Sequence, residues 1–159
     1  MSMLLLTKWY ICYNIYVADE NYIGKEMMCM LIRIDFENDI PIYAQLRDQV
    51  VMGIASGELK PDEALPSVRR MSADIGIHAH TVNKSYAILR DEGYIIIDRR
   101  SGCRVASVLP TSDVGFSEAI KAKLSPIAAE AACHGMKAKE FGVMCEELLG
   151  GLINKNEEV

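Results

Sequence analysis

The sequence has no C-x-x-C pair, no glycine-rich phosphate loop, a single tryptophan and no surplus of basic residues, and each absence narrows what the chain can be. Five cysteines (Cys12, Cys29, Cys103, Cys133 and Cys145) are an odd number, widely spaced, and indicate neither a disulfide framework nor a zinc site. They fit a reducing cytoplasm, with buried structural thiols as the plain reading and a redox-sensing thiol as the alternative. A net charge of -5 argues against a protein that coats nucleic acid indiscriminately, because bulk affinity for phosphate needs an excess of Lys and Arg. No nucleophile motif, metal-ligand cluster or phosphate loop supports an enzyme, and neither a metal nor a cofactor is expected.

What is present suits a small soluble fold. The 159 residues hold one domain and a short appendage, and 50% hydrophobic content is enough to bury a core. Met1 to Ala18 is apolar but interrupted by Lys8 and Asn14, too short for a membrane span and without the basic start and small-residue cleavage site of a signal peptide. It reads as an extra strand or helix, as a membrane-surface segment, or as residues translated from upstream of the true start. Met27, Met28 and Met30 stand just before the first clear patterning and favour the last, so residues 1–30 are set apart as an extension and a chain begun at Met30 is expected to fold.

From residue 31 the pattern becomes regular. Leu31 to Asp35 predicts a short strand, and Pro41 suits the first turn of a helix whose apolar positions Ile42, Leu46, Val50 and Ile54 share one face, ending near Gly57. Leu65-Pro66 forbids a helix and Ser67 offers an N-cap for a short helix over Val68 to Ile75, closed by Gly76. After a tight turn at Ile77-His78-Ala79, a longer helix runs to Glu92 with Val82, Tyr86 and Leu89 inward. Two helices joined by a short Gly-containing turn are a helix-turn-helix pattern. Tyr94 to Ile97 and Cys103 to Ala106 then predict two strands around the basic turn Arg99-Arg100-Ser101-Gly102, a wing.

Beyond Ser107, Phe116, Ile120, Leu124, Ile127 and Ala131 follow helical spacing, as do Phe141, Met144, Leu148 and Leu152, with Gly135 between the runs and Pro126 disposed to bend the first. These predict a helical hairpin with little core of its own, which must pack on a partner chain or on the first helix of its own chain. The fold class is α+β, mostly α: a winged helix-turn-helix domain over 31–109 followed by a C-terminal helical arm over 110–159.

The stretches Pro41-Ile42-Tyr43-Ala44-Gln45-Leu46, Gly57-Glu58-Leu59-Lys60-Pro61, Leu65-Pro66-Ser67-Val68-Arg69, Thr81 to Tyr86 and Asp91-Glu92-Gly93-Tyr94 resemble the DNA-binding domain of the GntR family of bacterial regulators. The opening Pro-Ile-Tyr with Gln45 and the short C-terminal region resemble its YtrA subfamily. The resemblance implies a homodimer on a palindromic operator in double-stranded DNA, usually a repressor. With no evident ligand domain, a small-molecule effector would have to bind at the dimer interface or between arm and wing. The sequence departs from relatives at His78, Ala79 and His80, where Asn, Ser, Thr or Arg is common, and in a wing without the Gly-x-Gly form.

In such a domain the N-terminal part of the second helix supplies base contacts, here His78, His80, Thr81, Asn83 and Lys84. Asn83 suits adenine, Lys84 a guanine or a phosphate, and Thr81 a phosphate or thymine methyl unless its hydroxyl caps the helix start. The resemblance makes Arg69, one turn into the preceding helix, the best single candidate, whereas Arg70 points elsewhere. Arg99, Arg100 and Gly102 form the wing tip, where a narrow minor groove attracts the arginines, a merely soluble turn being the alternative. From Ser67 to Arg104 seven bases stand against four acids, a local reversal of the overall charge. A winged helix used as a protein-interaction module is the rival function.

Overall fold

A computed structural model describes residues 11–12, 31–98, 100 and 102–153. Strand β1 (Ile11–Cys12) pairs antiparallel with β2 (Leu31–Ile32), Ile11 opposite Ile32. The rest of the first 30 residues, and with it the expectation about the chain's start, lies outside the described residues. The strand predicted over Leu31 to Asp35 is shorter than expected. The Asp35 backbone N–H donates to Gln45 Oε1 at 2.9 Å and its carbonyl accepts from Gln45 Nε2 at 2.8 Å, so neither group is left for a ladder.

Helix α1 (Ile42–Ala55) starts directly after Pro41, whose carbonyl accepts from the amides of Ala44 and Gln45. Pro41 at φ −55° is already close to the helical value of that angle, so the entry into α1 needs no side-chain cap. Leu46 and Val50 are fully buried and Ile54 nearly so, while Ile42 is half-buried. A strand absent from the sequence reading follows, β3 (Ala64–Leu65), in which Leu65 pairs with Cys103 and Ala64 with Arg104.

Helix α2 (Val68–Ile75) is capped as expected: Ser67 Oγ accepts from the Arg70 amide at 3.2 Å, and Gly76 at φ +76° takes the left-handed conformation that ends it. Helix α3 (Ala79–Asp91) buries Val82, Ser85, Tyr86 and Leu89 on one face. Strands β4 (Ile95–Asp98) and β5 (Gly102–Val105) form the predicted hairpin, Ile95 opposite Val105 and Asp98 opposite Gly102. Because β3 joins on its other side, β5 is the central strand of three, which anchors the hairpin base to the segment before α2. Leu46, Val50, Met71, Val82, Tyr86, Leu89, Ile95 and Val105 come together in one core, so every element from α1 to β5 is held by the same apolar cluster.

Residues 110–159 form a second compact unit. Helix α4 (Val114–Cys133) starts at Asp113, whose Oδ1 accepts from the Phe116 amide at 2.7 Å, and it runs on through Pro126 as one element. Gly135 at φ +81° reverses the chain into α5 (Ala138–Ile153), which packs on α4 as the predicted hairpin. Neither helix contains a buried residue. Among the described residues no helix is long and apolar enough to cross a membrane.

Candidate nucleic-acid interface

The burial of α3 determines what it can offer outward. Residues advance about 100° each along a helix, so burying 82, 85, 86 and 89 turns 80, 83, 84 and 87 to the other side. His80, Asn83 and Lys84 are exposed there, and half-buried Ala87 is the residue on this face that the sequence reading passed over. His78 is exposed at the N-cap position of α3 but makes no side-chain capping bond. Thr81 is half-buried in the first turn of α3. Its backbone N–H donates to the His78 carbonyl at 2.9 Å.

The turn between α2 and α3 is fixed by two amides, those of Gly76 and Ile77, both donating to the Ser72 carbonyl. The Tyr86 hydroxyl donates to the Pro66 carbonyl at 2.9 Å and ties α3 to the start of the α2 segment. Arg47, unremarked in the sequence, ties α1 to the far end of α3. Its guanidinium meets Glu92 at 2.8 Å and Asp48 at 2.9 Å and lies 5.6 Å from the Tyr94 ring centre. Partial burial works against the Arg47 charge, but the hydrogen bonds and fields of Asp48 and Glu92 outweigh it and hold its pKa above the ordinary value.

The seven bases from Arg69 to Arg104 divide sharply. Arg70 faces Asp74 at 3.6 Å, Arg90 faces Asp91 at 2.7 Å, and Arg104 faces Asp62 at 3.5 Å. Among the described residues, no carboxylate lies in ion-pair range of Arg69, Lys84 or Arg100. Arg69 is the exposed second residue of α2. Arg100 is exposed in the wing turn, with its backbone N–H donating to Asp98 Oδ1 at 2.7 Å. Lys84 instead meets an aromatic ring, its Nζ lying 3.6 Å from the centre of Tyr43 on α1. Gly102 has φ +81°, a value that side chains with a Cβ rarely adopt, so glycine here is a requirement of the wing turn. Arg99 and Ser101 lie outside the described residues.

Cys103 is buried in β5, and burial pushes its thiol up to about 11, so it is a protonated packing group at neutral pH and not a redox-reactive one. Among the described residues no group of His, Cys, Asp and Glu is placed to hold a metal ion.

A helix-turn-helix with an exposed polar face on its second helix, followed by the β4–β5 hairpin that joins β3 in a three-stranded sheet, defines a winged helix-turn-helix protein. The profile of the bacterial regulatory proteins of the gntR family matches residues 42–105, from the first residue of α1 to the last of β5. The chain is 30% identical over 119 residues to the HTH-type transcriptional repressor YtrA of Bacillus subtilis, covering 74% of this chain and 92% of that protein. It is 32% identical over 90 residues to the HTH-type transcriptional regulator Rv1152 of Mycobacterium tuberculosis, covering 57% of this chain and 74% of that one. Among solved structures, YtrA of Sulfolobus acidocaldarius, a GntR-family transcription factor, is similar at 37% identity and TM-score 0.51, over 62% of this chain and 97% of that one. A transcriptional antiterminator from Listeria monocytogenes shares the fold at TM-score 0.69 and 23% identity, over 76% of this chain and 90% of that one. The chain belongs to the GntR family and to its YtrA-like branch. It is a DNA-binding transcriptional regulator, as its relatives are, and not an enzyme.

Proposed function

We propose that the protein is a repressor that binds a palindromic operator as a homodimer, with residues 31–109 as the reading head and 110–159 as the dimerisation arm. The observation that carries the reading is the division of charge in the head. The arginines that lie off the predicted contact positions (Arg70, Arg90 and Arg104) are offset by carboxylates, while Arg69, Lys84 and Arg100 are not. A charge without a carboxylate partner is free to displace counterions from a phosphate.

In this reading α3 enters the major groove, where His78, His80, Thr81 and Asn83 meet base edges and neighbouring phosphates, Arg69 holds a phosphate or reaches into the groove, and Arg99 and Arg100 enter the minor groove from a turn shaped by Gly102. The dimer is supported by the arm. With Phe116, Ile127, Leu148 and Leu149 each about half or more exposed, α4 and α5 have an apolar surface that a second copy would cover. Two-fold symmetry then sets two recognition helices about 34 Å apart, the spacing of successive major grooves. The repressor role is supported by the likeness to the Bacillus subtilis transcriptional repressor YtrA.

Selection of bound sequences from random duplex DNA by the full-length protein is the test, with Arg69→Ala as control and a salt titration of the recovered site. An inverted repeat is expected, lost with Arg69→Ala and weakening steeply with salt; recovery of no preferred sequence at low salt would overturn the reading.

A further inference from the structure

Among the described candidate contacts, Lys84 is the one whose side chain already meets a partner within the protein, and that partner comes from a different element. Its Nζ lies 3.6 Å from the ring centre of Tyr43, the second residue of α1, and α1 packs directly on α3. Helical geometry separates its neighbours on the outward face. His80 and Ala87 lie near the middle, and Asn83 and Lys84 on opposite flanks, because successive residues are turned by about 100°. The Tyr43 ring draws the ammonium further toward the α1 side, away from Asn83.

We propose that Tyr43 is a positioning residue for Lys84: its ring holds the ammonium at the α1 edge of the recognition face, where Lys84 binds a phosphate of the DNA backbone and takes no part in reading base edges. This rests on the DNA-binding role of α3 proposed above and decides between the two roles its sequence position leaves open. The chemistry agrees with the geometry. An ammonium is a compact point charge with three donors, so one side can rest on a ring while the others remain open to a phosphate oxygen. Reading a guanine would require the side chain to leave the ring and extend across the face, giving up the cation–π contact. A flexible lysine held in one place before binding also loses less freedom when the phosphate arrives.

The experiment uses the full-length protein, the duplex recovered by selection and each of its single-base-pair variants. Lys84→Ala is expected to weaken binding to all duplexes by a common factor and to lower the slope of log K against log salt by about one. Tyr43→Phe keeps the ring and should behave as the unaltered protein. Tyr43→Leu should lose about two- to fivefold in affinity, the scale of an exposed cation–π contact, and should lose nothing more in a Lys84→Ala background. Relaxed preference at one base pair in Lys84→Ala, or an equal loss from Tyr43→Leu in both backgrounds, would overturn the proposal. In the free protein the Lys84 methylene protons should be shifted upfield by the ring; their absence at shifted positions overturns the contact even if Tyr43→Leu fails to fold. If Arg69→Ala and Asn83→Ala abolish binding while Lys84→Ala changes nothing, only the role of Lys84 fails. If no duplex is enriched at all, the DNA-binding role of α3 fails with it.

Discussion

The hydroxyl of Tyr86 donates to the carbonyl of Pro66 at 2.9 Å, joining the middle of the recognition helix to a residue 20 positions earlier in the chain. Tyr86 is 1% exposed, so its ring fills the core while its oxygen fixes the angle between α2 and α3. Tyr86→Phe keeps the ring and removes one hydrogen bond, and should lower unfolding free energy by about 1 kcal/mol. Tyr86→Ala also opens a cavity and should cost about 3–5 kcal/mol, the range for truncating a buried aromatic. Urea unfolding followed by circular dichroism measures both, and equal losses would show that the hydroxyl, not the ring, carries the stability.

Ser85, next to it, is the opposite case. It is fully buried and its Oγ has no hydrogen-bond partner among the described residues. A buried hydroxyl left unsatisfied costs free energy, so Ser85→Ala should leave stability unchanged or raise it by up to about 1 kcal/mol. A loss of more than about 1 kcal/mol in the same urea assay would reveal a bond that the hydroxyl makes in solution.

Cys103 ties stability to alkaline pH. Burial raises its pKa from 9.0 to about 11, so the unfolded chain releases this proton at lower pH than the folded one. The contribution is complete below pH 9 and is lost as pH rises from 9 toward 11, amounting to roughly 2–3 kcal/mol at the high end. Thermal melts across this window should fall less steeply for Cys103→Ala than for the unaltered protein; parallel curves would assign the alkaline loss to other groups.

The arm offers a test of assembly that spares the head. Leu148 is 66% exposed on α5, and neither arm helix has a buried residue to lose. Leu148→Glu should shift sedimentation at micromolar concentration toward the monomer and weaken operator binding at least tenfold, while the amide spectrum of residues 31–109 stays as it was. An unchanged sedimentation profile would remove this face from the interface.

Most of the architecture was legible because local chemistry and burial point the same way. Ser67 reads as a cap and accepts from the Arg70 amide, Gly76 reads as a stop and sits at φ +76°, and the Leu46–Val50–Ile54 spacing returns as the buried face of α1. Features that depend on partners distant in sequence were not legible. Strand β3 is two residues long, too short for alternation to show, and exists only because β5 lies beside it. Arg47 looks like any surface arginine until Glu92, 45 residues away, is brought to it. The candidate site was legible as a set of residue types, whereas the division into offset and free charges needed the fold. Lys84 could be placed on α3 from spacing alone, but not over Tyr43.

Gln45 completes the picture at the start of the domain. Its side-chain amide accepts from the Asp35 N–H and donates to the carbonyls of Asp35 and Ile40, so one residue of α1 fastens both ends of the 35–40 loop. The entry to the domain is thus closed by a side chain and not by a ladder, and replacing that one amide would release three backbone groups at once.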